Sequence, residues 1–482
     1  MKLRELIDGL QGGRLLGDPE VEVSDLAYES HRVSDGSLFF CVRGAKVDGH
    51  DFAPQAAAAG AAALVVEREL ETPLPQVLVA DSRAAMAPLA ARFWGEPTRE
   101  LEMAGITGTN GKTTTAYLLR SILEADDRQC GLLGTVKQVV GEVEREVVRT
   151  TPEAIDLQST FRQMLDAGDR ACVMEVSSHA LALRRADAID FDVALFTNLT
   201  QDHLDFHVTM DDYFAAKRLL FEAGPGASVV NVDDSYGRRL AAEIDCITFS
   251  AEGAEADYRA TEVSIDAAGA EFAVEGPGES LRVRTPLPGH FNVANALGAL
   301  TAAAALGVGP EIAADALSRS GRVPGRFEPV DEGQQFTVLV DYAHTPDSLE
   351  NVLRAARRLT SGRLISVFGA GGDRDRDKRP KMGRVGTELS DLAVITSDNP
   401  RSEEPAAIIA QILSGVDDTD GVEVEGDRRA AISYSLAQAA PGDTVVIAGK
   451  GHEQGQEFEG GRKVPFDDRE VAREELRKLL GR

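Results

Sequence analysis

The sequence predicts an α/β protein of three domains, on three observations: its length, an alternation of strand-like and helix-like runs that continues from end to end, and a glycine-rich turn between one such strand and helix at residues 105–115. A chain of 482 residues exceeds what one hydrophobic core supports, so about three domains are expected. Two breaks, Trp94-Gly-Glu-Pro-Thr98 and Pro324-Gly-Arg-Phe-Glu-Pro329, divide it into residues 1–98, 99–329 and 330–482.

The first span opens with a short amphipathic helix, then alternates strand-like runs at 37–42, 63–66 and 77–79 with an alanine-rich helix around 53–60. The second continues with strands at 171–176, 193–197 and 228–231, and an inserted stretch at 258–283 alternates apolar and polar residues as exposed strands do. The helix expected at 292–306 is nearly all alanine and leucine and is therefore buried. The third span reads strand, helix, strand again, at 337–341, 348–359, 364–368, 392–396 and 445–447, with a loop at 415–421.

The turn at the centre is Gly105-Ile-Thr-Gly-Thr-Asn-Gly-Lys-Thr-Thr-Thr115, preceded by an apolar run and followed by a helix-like one. Such a turn binds polyphosphate: backbone N–H groups and the positive helix end face the anion, Lys112 adds a charge, and the Thr113 hydroxyl can ligate Mg²⁺. The general phosphate-loop spacing wants glycine at 106 and finds Ile106.

Net charge is −28, which excludes non-specific nucleic-acid binding and docking on an anionic membrane. Cys41, Cys130, Cys172 and Cys246 are scattered, without metal-ligand spacing, and read as reduced, mostly buried thiols. With no apolar leader and no run long enough to span a bilayer, a cytoplasmic protein is expected.

All eight histidines fall in polar or glycine-rich segments. His203 follows one strand, in Asn198-Leu-Thr-Gln-Asp-His203, and Glu175 ends another. Strand C-termini beside a phosphate loop are where α/β proteins hold ligands, and a carboxylate with an imidazole can hold a cation on a nucleotide. On composition alone, Lys217, in the helix at 213–221, is a solvated helix lysine.

These motifs, with Thr150-Thr-Pro152, Glu175-Val-Ser-Ser-His-Ala-Leu181, Pro288-Gly-His-Phe-Asn-Val-Ala-Asn-Ala296, Asp341-Tyr-Ala-His-Thr-Pro-Asp347, Gly371-Gly-Asp-Arg-Asp375, Asp398-Asn-Pro-Arg401 and Gly449-Lys-Gly-His-Glu453, stand in the order seen in the Mur ligases. The chain resembles that family over its whole length, in the branch that adds the third residue of the peptidoglycan stem. The resemblance implies an N-terminal α/β uridine-binding domain, a central P-loop ATPase-type parallel-sheet domain and a C-terminal Rossmann-like, amino-acid-binding domain. It implies an ATP-dependent amide ligase acting through an acyl phosphate on UDP-MurNAc-L-Ala-D-Glu, with Mg²⁺, two ions, as cofactor.

Carried over by position, Gly108, Thr109, Asn110, Gly111, Lys112, Thr113 and Thr114 match the ATP loop, and Asn295, Arg326 and Asp341 the adenosine and phosphate side. Thr113, Glu175 and His203 match Mg²⁺ positions. Lys217 matches a lysine carbamylated by CO₂, whose carbamate holds a second ion. Ser30, Ala45, Lys46 and Val47 fall at the uridine end; Thr150, Thr151, Ser177, Leu183 and Arg185 fall on the muramoyl dipeptide. Leu183 replaces a glutamine of some members, and His31 a usual arginine. Arg374, Asp398, Asn399, Pro400, Arg401, Gly449 and Glu453 match the pocket for the incoming amino acid. Arg401 and Arg374 can each fork a carboxylate and Glu453 can receive an ammonium, which favours meso-diaminopimelate over L-lysine. A monomer is expected. The competing readings are a lysine-adding ligase, a folylpolyglutamate synthase and a non-catalytic nucleotide-binding regulator on the same scaffold.

Overall fold

The computed structural model describes every residue except Ala45, Lys46, Val148 and Glu279. It divides into two compact units: Met1–Gly105, Asp127–Ala194 and Ala216–Gly226 form the first, and Ile106–Asp126, Leu195–Ala215 and Ala227–Arg482 the second.

In the first unit a five-stranded sheet runs in the order Arg14–Leu16, Gln76–Leu78, Ala63–Val66, Ser37–Phe40, Asp25–Ala27. Only its first pair is antiparallel. Its inner strands Ser37–Phe40 and Ala63–Val66 are nearly continuous apolar runs, buried throughout, because both faces are covered. Leu38, Phe40, Ala63 and Val65 pack with Met86 and Leu89 of the helix Ser82–Phe93. Phe39, Cys41, Leu64 and Val66 pack on the other side with Ala53 and Ala56 of the helix Ala53–Ala58. The helix Ser82–Phe93 was not among the sequence expectations, yet it starts at a strong signal: the Asp81 carboxylate accepts from the amides of Arg83 and Ala84. The same unit holds Cys130–Leu133 parallel to Ala171–Glu175, followed outward by the antiparallel strands Gln138–Val140 and Val143–Arg145.

In the second unit, Ala227–Asn231, Ile247–Ser250 and Tyr258–Asp266 pair in parallel. The inserted stretch then turns back as the antiparallel strands Gly269–Glu275 and Leu281–Thr285. The parallel sheet expected for the central domain thus has antiparallel edges. The alanine-rich helix spans His290–Ala305 and is buried along most of its length.

A six-stranded sheet fills the rest of this unit, in the order Glu328–Pro329, Thr337–Asp341, Thr444–Ala448, Leu364–Phe368, Leu392–Ile395, Val422–Val424. All pairs but the first are parallel. Alternate residues again feed two cores: Leu339, Leu364, Phe368 and Val446 pack on one face, and Val338, Ile365, Val367 and Val445 on the other. The helices Lys378–Leu389, Pro405–Leu413, Arg428–Gln438 and Asp468–Leu479 escaped the sequence reading. Parallel strands put their carboxyl ends on one edge, and there lie Asp341, Gly369–Asp373 and the loops at 397–401 and 449–453. All four cysteines are free, and three are buried. Among the described residues no helix is long and apolar enough to cross a membrane.

Candidate active site

The phosphate loop owes its shape to two glycines. Gly108 and Gly111 have φ of 150° and 87°, where a side chain is strained. A Cβ on Gly111 would also stand 2.4 Å from Asn295 Oδ1, so the loop lies against the buried helix at 290–305. Lys112 opens the helix Lys112–Ala125 and folds back over the loop, its Nζ donating to the carbonyls of Gly108 and Thr109 at 2.9 Å each. The loop is braced by Asn198, whose carbonyl accepts from the Thr109 amide and whose Oδ1 accepts from the Asn110 amide, both at 2.9 Å.

Arg326 donates through Nη2 to Thr113 Oγ1 at 2.9 Å while its guanidinium lies 4.4 Å from the Tyr342 ring centroid. Its Nε is buried without a hydrogen bond. Asp341 is buried and accepts from the amides of Phe327 and Ala343, at 2.6 and 2.8 Å; burial raises its pKa against the pull of Arg326. Asn295 is buried and donates to Asn292 Oδ1. The expected adenosine and phosphate residues therefore gather in one unit.

Two bridges tie this loop region to segments beyond residue 340. Asn110 Nδ2 donates to Asp347 Oδ2 at 2.7 Å. Asp202 lies 3.5 Å from Lys378 Nζ and within 3.7 Å of the His203 and His344 imidazoles. Burial opposes its ionisation, yet Lys378 and the two imidazoles hold its carboxyl well below the usual carboxylate range.

At the carboxyl edge of the six-stranded sheet the expected amino-acid residues stand together. Lys450, fully buried, donates to Asn399 Oδ1 at 2.8 Å and Glu453 Oε2 at 3.0 Å, and Asp398 Oδ1 is 3.8 Å away. Asn399 Nδ2 also donates to Glu453 Oε2, so the carboxylate expected to receive an ammonium already holds a lysine. Burial pushes Asp398 up, and Lys450 with Arg428 more than offsets it. Gly449, at φ 124°, leaves room for the Asp398 carboxylate. Arg401 Nε pairs with Glu457 Oε2 at 3.0 Å, and Arg374 is exposed and donates through Nη1 to the Asp373 carbonyl at 3.0 Å.

In the first unit, Glu175 ends its strand buried, with Oε1 accepting from the Thr135 amide and Oε2 from the Thr135 hydroxyl, at 2.7 and 3.0 Å. Thr150 Oγ1 is 3.0 Å from the same hydroxyl. Thr151, buried, donates to the Glu175 carbonyl and accepts from the Ser177 amide. Ser177 caps the short helix Ser178–Ala182, and Leu183 closes it. Arg185 donates through Nη1 to the Thr151 carbonyl and pairs through Nη2 with Glu153 Oε1 at 2.9 Å. Glu153 also meets Arg83 and Arg149, at 3.0 and 3.1 Å, so three guanidiniums share one carboxylate. The Nε of Arg185 is buried without a partner, and burial lowers the Arg185 pKa. Ser30 donates to Gln55 Oε1; Val47 is exposed; Ala45 and Lys46 lie outside the described residues.

Lys217 is 1% exposed, on the helix Met210–Glu222. The composition-only reading of a solvated lysine is therefore corrected: it stands on the inward face of its helix. Sequence reasoning missed Glu153, Lys450, Glu457 and Lys378, whose only signal is a charge in or beside a motif. Among the described residues no three His, Cys, Asp or Glu side chains gather to hold a metal ion.

Comparison with known proteins matches three family profiles along the chain. They are the Mur ligase family, catalytic domain at residues 22–94, the Mur ligase middle domain at 106–303, and the Mur ligase, glutamate ligase domain at 325–451. The UDP-N-acetylmuramoyl-L-alanyl-D-glutamate--2,6-diaminopimelate ligase of Streptomyces coelicolor is 48% identical over 494 residues, covering 99% of this chain and 97% of that one. The protein of the same name from Geobacillus kaustophilus is 47% identical, with coverage of 98% and 99%. A solved structure with that name superposes with TM-score 0.70 at 30% identity, covering 100% and 99%. A Mycobacterium tuberculosis folylpolyglutamate synthase, at 18% identity and TM-score 0.63, covers 83% of this chain and 95% of its own and shares the fold.

Proposed function

This chain belongs to the Mur ligase family, and from that premise we propose that it joins meso-diaminopimelate to UDP-MurNAc-L-Ala-D-Glu at the expense of ATP, building the peptide stem of peptidoglycan. The observation that carries this reading is identity of 42–48% over nearly the whole chain to relatives bearing that name. Residues 1–98 are read as the uridine-binding domain, 99–329 as the ATP domain and 330–482 as the amino-acid domain, working as a monomer in the cytoplasm.

The residues perform the reaction as follows. Lys112 and the amides at 108–114 hold the ATP phosphates, with Asn295, Arg326 and Asp341 on the nucleotide side. Arg185, Thr150, Thr151 and Ser177, with the Leu183 backbone, orient the dipeptide. Its terminal carboxylate attacks the γ-phosphorus and ADP leaves, giving an acyl phosphate. The amine of the third residue, positioned by Asp398, Asn399, Pro400, Arg401, Gly449, Glu453 and Arg374, then displaces phosphate and forms the amide. Catalysis is positioning plus neutralisation of gathering negative charge.

Thr113, Glu175 and His203 are the hard oxygen and imidazole donors that would hold Mg²⁺, which takes few protein ligands. When bound, Mg²⁺ offsets the charge on the transferring phosphoryl group. Lys217 is read as carbamylated: its amine adds CO₂ and releases a proton, leaving an oxygen donor for a second ion. A buried lysine on this helix supports that assignment.

Phosphate release from ATP tests the reading, with UDP-MurNAc-L-Ala-D-Glu and either meso-diaminopimelate, L-lysine or no amino acid. Release only with diaminopimelate is expected. Release with lysine instead overturns the specificity, and no release in any arm overturns the ligase assignment.

A further inference from the structure

Arg401 sits in left-handed backbone, at φ 51°, which a side chain adopts only where its surroundings enforce it. What enforces it is the hairpin formed by Gly455–Glu457 and Lys463–Pro465. The Glu457 carbonyl accepts from the Arg401 amide at 3.1 Å, and the Glu457 amide donates to Asn399 Oδ1 at 3.0 Å. The neighbouring Gln456 Nε2 donates to the Asp398 carbonyl at 2.6 Å. Backbone and side chain thus fix Glu457 against the loop it serves.

The side-chain contacts are directional. Arg401 Nε donates to Glu457 Oε2 at 3.0 Å and Nη1 donates to the Gly372 carbonyl at 2.7 Å. Gly371 lies alongside, where a Cβ would come 3.0 Å from Nη1. These bonds fix the plane of the guanidinium by two of its nitrogens and leave Nη2 without a hydrogen bond among the described residues. An arginine left with one open end reads one carboxylate in one orientation.

We infer that Glu457 is a positioning residue for amino-acid selection: it clamps Arg401 through Nε so that the open end of the guanidinium receives the carboxylate by which diaminopimelate differs from lysine. This rests on the reading of Arg401 as the residue that meets that carboxylate. The role of Glu457 is to orient Arg401, not to touch substrate or ATP. Its carboxylate also balances the charge of Arg401, whose side chain is 20% exposed, so removing it leaves a cation that water still reaches.

The test compares Arg401→Ala, Glu457→Ala and Glu457→Gln in full-length enzyme, measuring KM and kcat for meso-diaminopimelate and KM for ATP. Glu457→Ala is expected to raise the diaminopimelate KM about tenfold with kcat and the ATP KM within about twofold, the effect of loosening one charge-assisted bond. Glu457→Gln, whose Oε1 can accept from Nε in the same place, is expected to stay within about threefold of wild type. If Arg401→Ala raises this KM and Glu457→Ala does not, the positioning role is overturned and the reading of Arg401 stands. If Arg401→Ala leaves it unchanged, the reading of Arg401 falls and takes this inference with it. Glu457→Gln failing as badly as Glu457→Ala, or every parameter falling together, means a structural role and overturns the inference.

Discussion

Two arginine-bearing clusters, one in each compact unit, carry their charge in opposite ways. Around Glu153, three guanidiniums share one carboxylate, and Glu153 and Arg185 are mostly buried. At the carboxyl edge of the six-stranded sheet, Lys450 and Arg401 are answered by Asp398, Glu453 and Glu457. The first has cations to spare and suits a substrate that brings carboxylates. The second has carboxylates in excess of its cations and suits a zwitterion whose ammonium groups those carboxylates can receive. On the site assignments proposed above, the cation-rich cluster would favour an acidic nucleotide-peptide and the carboxylate-rich one a free amino acid.

The contrast breaks most sharply at Glu153. Glu153→Ala leaves three arginines facing one another without their carboxylate, and a loss of about 3 kcal/mol in urea unfolding is expected, as for a buried ion pair stripped of one partner. Unchanged stability would mean that solvent, not Glu153, compensates these arginines.

Glu403 offers a second shared carboxylate for comparison, met by buried Arg379 at 2.8 Å and by exposed Arg376 at 3.1 Å. The hydrogen bond from buried Arg379, against some desolvation, holds its carboxyl at about 2, below its ordinary 4.5. A depressed carboxylate contributes stability present above the unfolded value and lost as pH falls toward the folded one. The excess stability of wild type over Glu403→Gln is therefore expected to be full at pH 6 and to fade between about pH 4.5 and 2, amounting to about 2 kcal/mol after screening. A difference that persists at pH 2 would exclude the ionised carboxylate as its source.

The two arginines proposed to meet substrate give the next test. Arg185→Ala should raise the KM for the nucleotide-peptide, and Arg401→Ala that for the amino acid, each by roughly 10- to 100-fold. Their stability effects should differ in sign: Arg185→Ala relieves like-charge crowding, whereas Arg401→Ala strands Glu457. Unfolding midpoints of both variants, measured together, check this.

How much of this was legible depends on what each residue answers to. Gly108 and Gly111 are dictated by local backbone geometry, so the phosphate loop could be read directly. The sheets could be read because apolar runs covered on both faces leave few alternatives. Lys217 could not be read from composition, because a lysine beside Arg218 on a helix of mixed apolar and acidic residues looks like a solvated one; the resemblance alone singled it out. Glu153 and Glu457 were missed for a different reason. Glu153 reaches Arg83, 70 residues earlier, and Glu457 reaches Arg401, 56 residues earlier, and such pairings exist only after folding. The helix Ser82–Phe93 carried its Asp81 cap in plain sight, but its apolar face mixes alanine with Met86 and Leu89 and gives a weak periodicity.

The smallest effect is expected where the donor is neutral and the carboxylate keeps a second partner. Tyr28 donates through its hydroxyl to Asp156 Oδ2 at 2.7 Å, and Arg32 Nη1 stands 3.1 Å from the other oxygen. Tyr28→Phe removes one donor while Arg32 still serves the carboxylate, so a cost of about 1 kcal/mol is expected. Burial first, and Asp156 second, push the tyrosine pKa upward. A group raised in the folded state contributes fully below its unfolded value and loses that contribution as pH climbs past it. Wild type should therefore exceed Tyr28→Phe by a constant margin from pH 6 to 9, shrinking above about pH 10, where the unfolded tyrosine ionises. Paired urea titrations at pH 8 and pH 11 decide it. An equal margin at both would show that the hydroxyl proton is not what this contact depends on, and that Arg32 alone ties Asp156 to the N-terminal sheet.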